Sequence, residues 1–185
     1  GPRPQAARSL LRRHPGDGES PPSPGVDPGR AGLLLRRLLD GDEFLSPRGI
    51  RSRSAAHRDG GRLDVAGDTL SLRYTPGESD SGLFGGNSNW RGPVWMPTNY
   101  LLIQALEKLH RFLGDAFTFP APCLNGYEIN LKYAATMLAE RLVDIFRRDE
   151  SDLIPAFPMD SPHQTDRHWR DLLLFHEYFH GETGQ

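Results

Sequence analysis

RHWRDLLLFHEYF, residues 167–179, is the stretch on which the fold class turns. Its apolar residues fall at helical spacing and Gly181 follows, so the pattern predicts a last helix ended by that glycine. The passage before it, LIPAFPMDSP, is broken by Pro155 and Pro158. Residues 127–148 carry Ile129, Tyr133, Met137, Leu138, Leu142, Ile145 and Phe146 on a broad apolar stripe, which predicts the longest helix. A Pro-containing connection over 115–126 separates it from another predicted helix. That one opens at Pro97 and runs through Tyr100, Leu101, Ile103, Leu106, Leu109, Phe112 and Leu113 to Gly114. With 167–179 read as helix, the C-terminal half is almost wholly helical.

The N-terminal half is more mixed. RAGLLLRRLLD, residues 30–40, predicts a helix whose Leu34, Leu35, Leu38 and Leu39 share one buried face, with Gly41 as its C-cap. FLSPRGIRSRS then reads as a turn and an extended passage. RLDVAGDTLSLRY, from residue 62, alternates in period two on either side of AGDT and predicts a short hairpin. TPGESDSGLFGGNSN follows as a long loop without periodicity, of a length that in compact domains is functional or disordered. Residues 1–29 hold seven Pro and five Gly and read as a disordered or divergent N-terminal segment. A short helix over 5–13 is marginal alone.

At 185 residues and 37% hydrophobic, the chain is long enough for one domain with a real core. The formal net charge of -2 hides an asymmetry: residues 1–58 hold eleven Arg against six acidic residues, and the remainder is acidic. An overall charge this close to neutral does not suggest a general nucleic-acid binder, and the N-terminal arginines, scattered among helix and turn signals, read as a solvated face rather than a nucleic-acid arm. No apolar run approaches a membrane span, and the start GPRPQAARSLLRR lacks a secretory pattern, so the expected location is cytoplasmic. Cys123 is the single cysteine, which excludes an internal disulfide.

Three places have side chains suited to chemistry. GLFGGNSNWRGPVWMPTNY, residues 82–100, sets Trp90, Trp95 and Tyr100 beside Asn87, Asn89 and Arg91. Aromatic faces next to amides and a guanidinium suit a sugar, which needs a ring to stack on and partners for its hydroxyls. The same residues also suit a structural plug at a helix end. HWRDLLLFHEYFHGETG, residues 168–184, matches H-E-x-x-H formally at His176, Glu177 and His180. Glycines follow at once and a third ligand is needed, so no metal site is assigned. Glu177 can instead serve as a general base. Asp160, His163, Asp166 and His168 form the third group, which reads as surface hydrogen bonding with Asp166 as a helix N-cap.

GNSNWRGPVWMPTNYLLIQAL and RDLLLFHEYFHGETG resemble the C-terminal part of the catalytic domain of glycoside hydrolase family 63. The similarity is to its bacterial branch of mannosylglycerate and glucosylglycerate hydrolases. LLRRLLDGDEFLSPRGIRSRSAAHRD and YTPGESDSGLFGG are similar to the same branch, so the resemblance covers roughly residues 33–184. It implies an all-α fold, a partial (α/α)6 toroid with a small β-hairpin insertion and long loops, over residues 30–185. It further implies inverting hydrolysis of α-glucosides or glycerate-linked sugars, with no cofactor and a small carbohydrate as the substrate. Carried over by motif, Glu177 matches the general base. Asn89, Trp90, Arg91, Gly92 and Trp95, with Tyr178 and His180, match residues lining the sugar pocket. The family's general acid has no counterpart in this chain. The expectation is therefore a fragment of a hydrolase, inactive alone; the alternative is a non-catalytic helical scaffold or interaction module with a degenerate sugar-binding loop.

Overall fold

The computed structural model describes residues 27–78 and 90–185. Asp27 caps the first helix, α1 (Pro28–Leu38), by accepting a hydrogen bond from Gly29 N at 3.0 Å, and Pro28 occupies its first position. The helix starts earlier than the leucine pattern predicts. Leu35 and Leu39 are buried as expected, whereas Leu34 is 71% exposed. FLSPRGI folds back on itself as a two-residue ladder, β1 (Leu45–Ser46) against β2 (Gly49–Ile50). Gly49 has φ +138°, and a Cβ there would lie 2.9 Å from both Leu142 Cδ2 and Val94 Cγ1, so only glycine lets this turn press on the core.

The predicted hairpin is present: β3 (Gly61–Val65) pairs antiparallel with β4 (Asp68–Leu72) across Ala66 and Gly67. β5 (Val94–Trp95) leads directly into α2 (Met96–Leu113), which has Pro97 in its first turn and ends at Gly114. Residues predicted as connection and helix over 115–130 instead form a second hairpin, β6 (Thr118–Ala121) with β7 (Tyr127–Asn130). Asn130 then caps α3 (Leu131–Val143), its Oδ1 accepting from Tyr133 N at 2.8 Å. The helix predicted over 127–148 is shortened at both ends, and α2 becomes the longest.

Residues 167–179 are not a helix. A one-turn helix, α4 (Pro162–Thr165), is capped by Ser161, and Asp166 caps only the turn that follows through His168 N. The chain then passes through turns over 167–171 and an irregular stretch into β8 (Tyr178–Phe179), which pairs antiparallel with β5. The all-α (α/α)6 toroid expected from the resemblance is therefore corrected to a mixed α/β fold. Among the described residues there are four helices and eight short strands in two-stranded sheets, none closed into a ring. The physical reason is backbone pairing: 118–121 with 127–130, and 94–95 with 178–179, divert two predicted helical segments into strands.

One core serves all these elements. Leu131, Ala134, Ala135, Leu138 and Leu142 of α3 share it with Ile103 and Leu106 of α2, Leu35 and Leu39 of the α1 region, Phe119 of β6 and Phe179 of β8. Asn99 lies within it, 2% exposed. Its Oδ1 accepts from Ile50 N at 2.8 Å, and its Nδ2 donates to Ile50 O at 3.0 Å and Trp95 O at 2.9 Å. One side-chain amide thus takes the place of a neighbouring strand for β2 and holds the entry to α2. Replacing it by Leu leaves Ile50 N and Ile50 O without these partners, at about 1–3 kcal/mol each before relaxation, while Trp95 O keeps the Thr98 hydroxyl. Urea unfolding of Asn99→Leu should show a loss of at least about 2 kcal/mol; a loss under about 0.5 kcal/mol would show that Asn99 is dispensable.

Candidate functional site

The β5–β8 pair places three of the aromatic residues singled out by sequence. Trp95 and Tyr178 are directly paired across it, and their rings lie 5.0 Å apart at 34°. Trp90 stacks on Trp95 with centroids 4.4 Å apart and planes within 3°. Trp95 is buried, whereas Trp90 is 47% exposed. The Tyr178 hydroxyl donates to Glu78 Oε1 at 2.7 Å, which fixes the third ring. Beside Trp90 opens a cavity of about 250 Å³ lined also by Ile50, Arg51, Ser52, Thr98, Asn99 and Leu102.

The other predicted residues separate into different surroundings. Arg91 is 4% exposed, a buried cation rather than a surface contact. Gly92 has φ +157°, and a Cβ there would come within 2.4 Å of Thr75 O, so glycine is needed for close passage of two backbones. Asn89, with Asn87, lies outside the described residues. Glu177 does not border the cavity beside Trp90. It lies at the edge of a separate apolar groove with Met96, Tyr100 and Phe175, and its backbone O accepts from Met96 N at 2.9 Å.

Sequence reading missed the densest polar cluster, built on Arg51, Arg58, Tyr74 and Glu182. Arg51 is 5% exposed. Its Nε donates to Tyr74 Oη at 3.1 Å and its Nη2 to the two carboxylate oxygens of Glu182 at 3.2 and 3.3 Å. Its Nη1 donates to the carbonyls of Gly41 and Leu45. Glu182 Oε1 also accepts from Tyr74 Oη at 2.6 Å and Arg58 Nη2 at 2.7 Å. Burial alone would raise the Glu182 pKa, but the Tyr74 hydrogen bond and the two guanidinium charges outweigh it and hold the carboxyl below its ordinary 4.5. Burial, then the hydrogen bond to Glu182, push the Tyr74 phenol up to about 12 against a smaller opposing pull from Arg51. The sequence signal for this cluster was YTPGESD read together with HGETG; neither half shows its partner locally.

His180 sits at the turn that delivers Glu182. Its Nδ1 accepts from Glu182 N and Thr183 N, both at 3.2 Å, which requires that ring nitrogen to be unprotonated. Its pKa lies below the ordinary 6.5 because burial disfavours the cation, with the Glu182 charge pulling the other way. Residues 178 and 179 are strand, so His176 and His180 do not share the helix face that H-E-x-x-H requires.

No protein-family model matches the chain, and no solved structure matches it. A curated protein of Saccharomyces cerevisiae (strain ATCC 204508 / S288c), the uncharacterized protein YMR196W, is 42% identical to this chain over 159 residues. The match covers 84% of this chain and 15% of the yeast protein, so the chain spans about 15% of its relative's length. These findings, with the fold, overturn the hydrolase expectation. No family model supports an α-glycoside hydrolase, parent enzyme or fragment, and the toroid on which that mechanism was placed is absent. The helical scaffold of the alternative reading is corrected by the same strands to a mixed α/β fold. No helix among the described residues is long and apolar enough to cross a membrane.

Two pH effects follow. His180 is protonated more readily in the unfolded chain, so its contribution to stability is complete above pH 6.5 and is lost as the pH falls from there through the lower folded-state value. Urea midpoints should decline across that window, and His180→Asn, which keeps an acceptor but does not titrate, should flatten the decline; an unchanged slope in the variant would refute the assignment. Separately, phenolate absorbance should show a titration at about 12 that is missing in Tyr74→Phe.

Proposed function

We propose that this chain binds a carbohydrate on the Trp90 face. The observation that carries the reading is the Trp90–Trp95–Tyr178 stack, buried at its inner end and half-exposed at Trp90, at the mouth of a 250 Å³ cavity. An indole face held rigid by a second indole is already ordered before the ligand arrives, so stacking a sugar ring on it loses little side-chain entropy. Such a face matches the C–H side of a pyranose by shape and by dispersion. Thr98 and Ser52 supply hydroxyls along the same cavity. The Thr98 hydroxyl donates to Trp95 O at 3.0 Å, which leaves its lone pairs to accept from a sugar hydroxyl.

The motif resemblance supports the aromatic part of this reading and nothing catalytic. Glu177 borders a different surface from the stack, so the reading is one of recognition. Neutral oligosaccharides should quench or shift tryptophan emission in the full chain, and Trp90→Ala should weaken binding about tenfold or more. Trp90 is exposed enough for its removal to leave the fold intact, which circular dichroism would check. Absence of any response across a panel of neutral glucosides and mannosides would end the reading.

A further inference from the structure

Apart from the cavity beside Trp90, residues of α2 and α3 line an apolar groove of about 830 Å³. From α2 it is lined by Met96, Pro97, Tyr100, Ile103 and Gln104, from α3 by Ala139, Leu142 and Val143, and further by Phe175 and by Glu177, which lies at the Met96 end, where its backbone O accepts from Met96 N. Residues 96 to 104 of a helix span about 12 Å, or a little over two turns. That length accommodates side chains at i, i+3, i+4 and i+7 of a facing helix. The groove faces solvent at Tyr100 (59% exposed), Val143 and Phe175. Among its lining residues Glu177 is the one charged group, and its carboxylate has no hydrogen bond or ion pair among the described residues.

We propose that this groove takes an amphipathic helix of a partner protein, with apolar anchors along α2 and a Lys or Arg paired to Glu177. The apolar walls supply affinity in a non-directional way, while the lone carboxylate at one end fixes which way the helix lies and what charge it carries. A compact organic cation fits less well, because it would satisfy Glu177 and leave most of the two-turn length uncovered. The inference is independent of carbohydrate binding, which uses a different surface and different residues.

The test uses the full chain and two synthetic helical peptides of about twelve residues. Both carry Leu at i, i+3, i+4 and i+7; one has Lys at its flanking positions and the other Glu. Fluorescence anisotropy should show the Lys peptide binding about tenfold more tightly. Glu177→Gln should remove most of that preference, and Tyr100→Glu, at an exposed position, should abolish binding of the Lys peptide. The proposal is overturned if neither peptide binds, if both bind equally, or if the preference survives in Glu177→Gln. It is likewise overturned if sedimentation shows the chain covering the groove with a second copy of itself. Trp90→Ala should leave peptide binding unchanged, so failure of the carbohydrate reading and failure of this one are distinguishable.

Discussion

The structure depends on a buried cation. Arg51 is almost out of solvent, and an unmatched charge there would be strongly unfavourable. Every arm of its guanidinium is matched: one side to the carbonyls of the 41–45 turn, one edge to the Tyr74 hydroxyl and one to the Glu182 carboxylate. Those partners come from three widely separated parts of the chain. Satisfying one residue therefore specifies where the turn after α1, the segment following the β3–β4 hairpin, and the 180–184 turn must meet. The geometry is what distinguishes this cluster from the exposed ion pairs elsewhere, such as Arg147–Asp144, which contribute little.

Around that point the fold places two surfaces on one ribbon. β5 and β8 form a ladder of two residue pairs, yet Tyr178 of this ribbon meets Trp95 while Phe179 joins the core against Phe146. Alternation along an extended strand does this without further machinery. The aromatic stack and the apolar groove thus share a backbone but not side chains.

What could be read in the sequence was what local patterns determine. L-D-V and L-S-L-R-Y around AGDT announce a hairpin, because period-two alternation and its turn lie within a dozen residues. Pro97 and Gly114 mark the limits of α2 for equally local reasons. The failures share a cause. Residues 167–179 have the apolar content of a helix, and their true state is set by pairing of Tyr178 with Trp95, which no nearby residue reveals. Residues 127–130 likewise have a helical stripe but complete a hairpin with 118–121. The motif resemblance brought the right aromatic residues forward, and it also brought a toroid that the backbone does not form. Arg51 escaped notice because a single arginine in a turn-rich passage has no pattern; its importance comes entirely from what folds onto it.

The ladder between 94–95 and 178–179 has a consequence for how the protein is made. It closes a loop of nearly half the chain, an entropic cost met only once the intervening elements are in place. On the ribosome, Arg51 and Tyr74 are synthesised long before Glu182, at a few to some twenty residues per second. For several seconds the nascent chain holds the guanidinium and the phenol before the carboxylate that joins them has been made. Burying Arg51 in the 41–45 turn before then would leave its charge without that carboxylate, which is costly, so this part of the core is expected to close late.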